Sequence, residues 1–323
     1  MVKKILITGG AGYIGSHISE ILLNNRKKIF IIDNLSTGHK KLVHKKATFF
    51  KIDILDTLKV KKIILQNNID SIIHLAASLI ISEGEKYPKK YYRNNVIGTS
   101  SLIEACRYTS VKNLIFSSTA AVYKDGLSKV KENSELKPKS VYGKTKLKSE
   151  KIIQKNCQKL KINYGILRYF NIAGSSPSGK IGLINKSDHL FKNFSIEVSK
   201  KKPLLKIYGT NYNTKDGSCI RDFIHVTDIA DIHLKVLEKI SKLKKSQILN
   251  CGYSKGTSVL EVAKEFQRQV KKNVNIVSLP RRSGDLVKVI AVNNKLKNFI
   301  KWKPRFNELK FIVKSCLKWE KNQ

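Results

Sequence analysis

Tyr142-Gly-Lys-Thr-Lys146 lies downstream of Ser117-Ser118-Thr119. If a helix opens at Tyr142, Lys146 falls one turn later on the same face, and a phenol and an ammonium point into one space. The ammonium, with a nearby cationic cofactor, favours the phenolate and lowers a pKa that is about 10 in an unperturbed tyrosine. A hydroxyl from Ser118 or Thr119 would share the moving proton. Together these groups form a general acid/base device for interconverting a carbinol and a ketone. The spacing Tyr-x-x-x-Lys also arises by chance in a lysine-rich chain, so the surrounding elements decide its meaning.

Residues 3–8 read as a buried strand that runs into Gly9-Gly-Ala-Gly12-Tyr13-Ile14-Gly15. Glycines at this spacing allow a tight turn, let a pyrophosphate approach the backbone and bring the next helix close to the strand. The phosphates would lie over the N-terminus of a helix from residue 13 to about 25. A second strand, 28–32, ends in Asp33, 18 residues past Gly15 and near the roughly 20 expected of the acid that holds an adenosine ribose. A carboxylate there repels a 2′-phosphate, and no arginine occurs in residues 34–38, so the expected cofactor is NAD rather than NADP. Strands at 47–52, 71–75 and 113–116 follow, ending at Asp53, at Leu75-Ala76-Ala77 and at Ser117-Ser118-Thr119. Asp53 would reach an adenine amino group, and the small Ala76 and Ala77 leave room for the cofactor. Helical segments separate the strands, including one from Pro88 to about 108 and the Tyr142/Lys146 helix to about 158. A further strand at 162–167 leads into Arg168-Tyr169-Phe170-Asn171. Strands alternating with helices predict an α/β fold with a doubly wound parallel Rossmann sheet, with ligands beyond the carboxyl ends of the strands.

A Gly/Ser/Pro stretch at 173–179 marks a boundary. The expected organisation is an NAD-binding domain over 1–174 and a smaller α/β substrate domain over 175–323, some of whose segments return to the first. The second part has no further dinucleotide fingerprint. It carries polar clusters around Asp188-His189-Leu190, Tyr208, Arg221-Asp222-Phe223 and Arg281-Arg282-Ser-Gly-Asp285. Arginines from separate loops can converge on a diphosphate with charge-assisted bonds, and Tyr208 could stack on a base. Structural ion pairs, Arg221 with Asp222 or Arg282 with Asp285, are the competing reading. His225 and His233 read as packing residues rather than metal ligands, and no spacing suggests a metal site.

The 323 residues carry a net charge of +39, with nine arginines among 63 basic residues. Dedicated nucleic-acid readers favour arginine forks. Here lysines are scattered through every segment, as codon bias in an AT-rich genome would produce, so nucleic acid is not the expected partner. The charge should nonetheless draw in small anions at low salt. No apolar run approaches the roughly 18 residues of a membrane span, so no membrane partner is expected. Five cysteines without a Cys-x-x-Cys pair fit reduced thiols in a cytoplasmic protein.

Taken together, Thr8-Gly-Gly-Ala-Gly-Tyr-Ile-Gly15, Asp33-Asn34-Leu35, His74-Leu-Ala-Ala77, Asn94-Asn-Val-Ile-Gly-Thr99, Phe116-Ser-Ser-Thr119, Tyr142-Gly-Lys-Thr-Lys146, Leu167-Arg-Tyr-Phe-Asn171, residues 216–226 and residues 280–285 resemble the UDP-glucose 4-epimerases of the extended short-chain dehydrogenase/reductase family. The resemblance covers nearly the whole chain. It implies an isomerase that oxidises and re-reduces sugar C4 with bound NAD, usually as a homodimer. It implies Tyr142 as acid/base, Lys146 as the group that lowers its pKa and holds the nicotinamide ribose, and Thr119 as the assisting hydroxyl. By the same resemblance Tyr13, Ile14, Asp33, Asn34, Asp53, Ile54, Asn94, Tyr169 and Phe170 hold NAD. Asn171, His189, Leu190, Tyr208, Arg221, Phe223, Arg282 and Asp285 hold the UDP-sugar. Four positions depart from the pattern. Thr119 replaces a frequent serine, Leu79 replaces a lysine found in some members, and Lys124 stands where glycine is usual. Val289 stands where hexose-only members can carry tyrosine, so an N-acetylhexosamine is a candidate sugar beside glucose and galactose. Uronic-acid epimerisation and a non-catalytic RNA-binding role on the same scaffold stay open. Elimination is set aside, because Ala120-Ala121-Val122 follows Thr119 where dehydratases carry an Asp-Glu pair.

Overall fold

The computed structural model describes residues 2–185, 188–270, 272–282 and 285–323. Seven strands form the main sheet: β1 Lys4–Thr8, β2 Lys28–Asp33, β3 Thr48–Lys51, β4 Ser71–His74, β5 Asn113–Thr119, β6 Asn163–Tyr169 and β7 Gln247–Cys251. Their order is β7-β6-β5-β4-β1-β2-β3 and every neighbouring pair is parallel. The strands are apolar on both faces because helices cover both sides. In β1 the alternation is plain: Ile5 and Ile7 enter one core and Leu6 the other. The first core lies beneath helices Tyr13–Asn24 and Val226–Leu243. The second lies beneath Thr57–Asn67, Gly98–Ala105 and Val141–Lys159. The strand order reverses direction between β1 and β4, which is where a doubly wound sheet opens a crevice for ligand.

Two of the differences from the sequence expectation lie beside the site. β5 continues to Thr119, because Ser117 and Ser118 keep pairing with β6 up to the register Thr119↔Tyr169. The helix expected over 88–108 ends at Ala105 and holds a π-helical turn at Tyr92–Ile97, a distortion that is often found beside functional sites.

After Tyr169 the chain leaves the main sheet and returns as β7, paired with β6 in the register Gln247↔Gly165 to Cys251↔Tyr169. The excursion builds small sheets of its own. Asn171–Ala173 pairs with Phe223–His225, and Leu204–Tyr208 with Asn275–Leu279, both in parallel. Ile220–Arg221 lies between Thr257–Ser258 and Lys288–Ala291, and the latter also pairs with Lys129–Val130. That last pairing ties the second half to the connection between β5 and the Tyr142 helix.

Candidate active site

The nucleotide end follows from the glycines. Gly9 has φ +72°, and a Cβ there would lie 2.7 Å from the amide nitrogen of Ala76. A Cβ on Gly15 would meet Gly9 O at 2.6 Å and Gly10 Cα at 2.7 Å, so Gly15 sets how closely helix Tyr13–Asn24 lies to β1. Gly12 differs: its Cβ would meet one atom alone, Gly9 O at 3.3 Å. It is the N-cap of the helix and supplies no side-chain cap. The amides of Tyr13, Ile14 and Gly15 therefore precede the first intrahelical bond, Ser16 N to Gly12 O, as an anion site at a helix N-terminus requires.

At the end of β2, buried Asp33 accepts from Ala11 N at 3.0 Å and Leu35 N at 2.8 Å. Burial raises its pKa, and those two amide bonds oppose the rise. A carboxylate has about four lone-pair sites, so two remain for ribose hydroxyls. Asp53 accepts from Asn34 Nδ2 at 3.0 Å and Leu55 N at 2.9 Å, which places Asn34, Asp53 and Ile54 in one group beyond β2 and β3. Asn94 donates to Ser78 Oγ at 2.9 Å, which fixes the π-helical turn against the Leu75-Ala76-Ala77 loop. A cradle open at Gly12, uncapped amides and an acid with spare acceptors fit the adenosine diphosphate half of NAD.

The acid/base end lies past β5. Ser140 caps the helix Val141–Lys159 by accepting from Gly143 N at 3.1 Å, and Tyr142 and Lys146 lie one turn apart on it. Thr119 Oγ1 accepts from Ala121 N at 3.1 Å; its nearness acts to lower the Tyr142 pKa, but burial acts more strongly and pushes it up to about 12. The lowering expected from the sequence belongs to the phenol with the cationic cofactor beside it. Lys146 is 2% exposed and its Nζ lies 4.2 Å from the centroid of the Phe116 ring. Burial lowers its pKa to about 7, while Glu150 acts to raise it. Tyr169, on the neighbouring strand, donates its hydroxyl to His233 Nε2 at 2.7 Å, because His233 Nδ1 faces the Ile229 carbonyl and carries the proton. Burial keeps that imidazole neutral, with a pKa of about 4.

Four of the expected residues have their side chains engaged within the protein. Ser118 takes no part at the phenol: strand alternation turns it away from Thr119, and its hydroxyl donates to Glu150 Oε1 at 2.5 Å. The Phe223 ring packs in the core against Phe191, with centroids 5.1 Å apart, so its side chain cannot line a ligand site. The Tyr13 hydroxyl is committed to the Gly174 carbonyl at 2.5 Å, which leaves its amide for an anion. His189 donates from Nε2 to the Ile172 carbonyl at 2.7 Å and faces Tyr13 edge-on. It thereby positions Leu190 at the N-terminus of helix Leu190–Ser199.

In the second half Arg221 donates to the carbonyls of Ile220 and Leu286 and pairs with Asp285 at 3.6 Å. The ion pairs weighed from the sequence do not form. Asp222 is instead spent on the amides of Tyr253, Ser254 and Ala291. The Arg282 guanidinium lies 3.8 Å over the Tyr208 ring. Val289 is the register partner of Arg221 and, like Ala120, packs against the small apolar cluster that holds Phe170. Since Ala120 follows Thr119 and Phe170 follows Tyr169, Val289 sits where the arginine loops meet the acid/base end. Asn171 is exposed at the start of the short strand that pairs with Phe223–His225. Sequence reasoning missed Glu150 and the role of Arg168, discussed below. The arrangement can hold a proton at Tyr142 Oη beside a dinucleotide site.

A doubly wound sheet with an adenosine-ribose acid and a Tyr/Lys pair defines a dinucleotide-dependent enzyme of hydroxyl–ketone chemistry. Residues 5–252 match the NAD dependent epimerase/dehydratase family, and the chain belongs to that family. It is 37% identical to the UDP-glucose 4-epimerase of Lactobacillus helveticus over 99% of this chain and 97% of that one. Its fold matches a UDP-glucose 4-epimerase structure from Stenotrophomonas maltophila, solved with NAD and formylated UDP-arabinopyranose, at a TM-score of 0.95. There the identity is 29%, with 99% of this chain and 98% of that one covered. A UDP-Glc/GlcNAc 4-epimerase structure from Campylobacter jejuni matches with a TM-score of 0.86 and 38% identity, over 99% of this chain and all of that one.

Proposed function

We propose that the protein is an NAD-dependent UDP-sugar 4-epimerase acting on UDP-glucose and UDP-galactose. The observation that carries this reading is Tyr142 and Lys146 one turn apart on a helix, with Thr119 at the end of β5, one strand removed from the cofactor crevice. NAD, when bound, supplies a reversible hydride acceptor and a positive charge. Gly12, the amides of Tyr13 and Ile14, Asp33, Asn34, Asp53, Asn94 and Lys146 would hold it. Tyr142 Oη takes the proton of the sugar C4 hydroxyl and later returns it, with Thr119 Oγ1 orienting that hydroxyl. The Lys146 ammonium stabilises the phenolate between the two events. Asn171, Leu190, Tyr208, Arg221, Arg282 and Asp285 hold the UDP portion, which anchors the nucleotide while the hexose turns over. Val289 leaves room for an N-acetyl group, and the Campylobacter relative acts on UDP-Glc and UDP-GlcNAc, so the reading extends to N-acetylhexosamines.

The same reading includes a cytoplasmic homodimer. Its support is five buried free thiols and the run of large apolar side chains from Leu79 to Ile97, of which six are at least 40% exposed. Among the described residues no helix is long and apolar enough to cross a membrane. Sedimentation at micromolar protein tests the dimer, and a single monomeric species would remove it.

The activity is tested by incubating the protein with UDP-galactose, UDP-GalNAc and UDP-glucuronate without added NAD and identifying the products. Inversion at C4 of at least the hexose is expected, sustained by cofactor that purifies with the protein. Tyr142→Phe should lower kcat by about 10²- to 10⁴-fold. Retained turnover would remove Tyr142 from its role.

A further inference from the structure

Arg168 is the largest fully buried side chain among the described residues. Its Nε and Nη2 fork onto the two oxygens of Glu150 at 3.0 and 2.7 Å. Its Nη1 donates to Tyr123 Oη and to the Glu132 carbonyl, each at 3.0 Å. Tyr123 Oη in turn donates a hydrogen bond to Asn250 Oδ1 at 2.6 Å. Glu150 is also fully buried and takes a third bond, from Ser118 Oγ. A buried pair dressed this way rarely adds stability over apolar residues of similar volume, so its presence needs another reason.

That reason lies in what its members adjoin. Ser118 precedes Thr119 on β5, Arg168 precedes Tyr169 on β6, and Glu150 lies one turn beyond Lys146 and two turns beyond Tyr142. We propose that Glu150 and Arg168 are positioning residues of the acid/base site: the pair locks the Tyr142 helix in register with the ends of β5 and β6, and the Glu150 carboxylate is the counter-charge of the Lys146 ammonium. The groups around Lys146 agree. From β5 it meets the Phe116 ring. From β4 it meets His74, which bonds Thr8 Oγ1 and Thr99 Oγ1 and is neutral, its pKa lowered to about 3 by burial and then by Lys146. On its own helix it has Tyr142 and Glu150, and of these Glu150 is the acid. Glu150 in turn faces Ser118 from β5 and Arg168 from β6, with Tyr123 and the Glu132 carbonyl behind the guanidinium.

The inference rests on the epimerase reading for Tyr142 and Lys146. Glu150→Met/Arg168→Met removes both charges and keeps volume. It should melt near the wild type, keep KM for UDP-galactose within twofold, and lower kcat at least tenfold. The alkaline limb of its pH–kcat profile should move at least one pH unit lower. Glu150→Gln, which keeps the side-chain shape, should show the same shift if the double variant does not fold. A folded variant with wild-type kcat and an unmoved limb overturns the proposal.

A second readout needs no turnover. The difference in urea-unfolding free energy between Lys146→Met and its parent is followed against pH. In the wild-type background it should level off below pH 7, and in the Glu150→Gln background it should keep growing. Levelling at the same pH in both backgrounds overturns the counter-charge role. A wild type inert on every UDP-sugar, with the two backgrounds still diverging, would remove the epimerase reading and leave the Lys146–Glu150 coupling standing.

Discussion

Gly12→Ala separates binding of the cofactor from stability of the fold. Gly12 has φ −86° and ψ 175°, backbone that any residue adopts, and its added Cβ meets Gly9 O alone, at 3.3 Å. Alanine gains about 0.4–1 kcal/mol by restricting the unfolded chain and loses a similar amount as a poorer N-cap than glycine. The apo protein should therefore melt within about 3 °C of the wild type. The same methyl group stands over the free amides of the first helical turn, where a phosphate must approach. Weakening one charge-assisted amide bond there costs about 1.5–3 kcal/mol, so Kd for NAD should rise by about 10- to 100-fold. Gly15→Ala is the contrast: its Cβ would press on backbone at 2.6 and 2.7 Å, and overpacking of that kind costs about 1–3 kcal/mol of stability. Calorimetric titration of stripped protein with NAD, with melting curves beside it, reads both. The reasoning fails if Gly12→Ala binds NAD within twofold of the wild type, or if it destabilises the apo protein as much as Gly15→Ala does.

Three further outcomes follow from the same geometry. Lys146 has its pKa lowered from 10.5 to about 7 by burial, so between those values the unfolded chain binds one more proton and stability rises with pH. In the apo protein Lys146→Met should gain on the order of 4 kcal/mol at pH 6 and almost nothing near pH 11, read by urea unfolding. Val289→Tyr should lower kcat/KM for UDP-GalNAc at least tenfold relative to UDP-galactose; equal losses on both sugars would show that the side chain does not meet the N-acetyl group. With a net charge of +39, kcat/KM for the anionic substrate should fall as ionic strength rises from about 0.01 to 0.15 M and the screening length contracts from about 30 to 8 Å. A flat profile would dismiss electrostatic steering.

Much of this site is written in local chemistry. The glycines from Gly9 to Gly15, the strand-end Asp33 and the Tyr142–Lys146 spacing each depend on residues a few positions apart, and each was legible. The choice between Ser118 and Thr119 was not. Alternation says that adjacent strand residues face opposite ways, but which faces the phenol depends on where β5 ends, and β5 runs three residues past the expected stop. The desolvation of the Tyr142 phenol was not legible either: spacing brings Lys146 near, but the burial that raises the phenol pKa comes from packing by distant segments. β7 escaped notice because Gln247-Ile-Leu-Asn-Cys251 is short and follows a long excursion. The Phe223 ring could not be assigned to the core before Phe191, 32 positions away, was seen against it.

The late return of β7 has a consequence for how the protein is made. β6 pairs with a strand about 82 residues further along the chain. At about 5–20 residues per second, the ribosome needs about 4–16 s to supply that partner. During this interval the apolar edge of β6, from Tyr164 to Leu167, offers unpaired backbone groups to any passing strand. The nascent chain therefore meets an aggregation hazard after the cofactor crevice between β1 and β4 has been synthesised and before the edge beside the acid/base site is closed. A chaperone or early NAD capture would act in that interval, and slowing translation between residues 170 and 246 should reduce the soluble yield more than the same delay placed after residue 251.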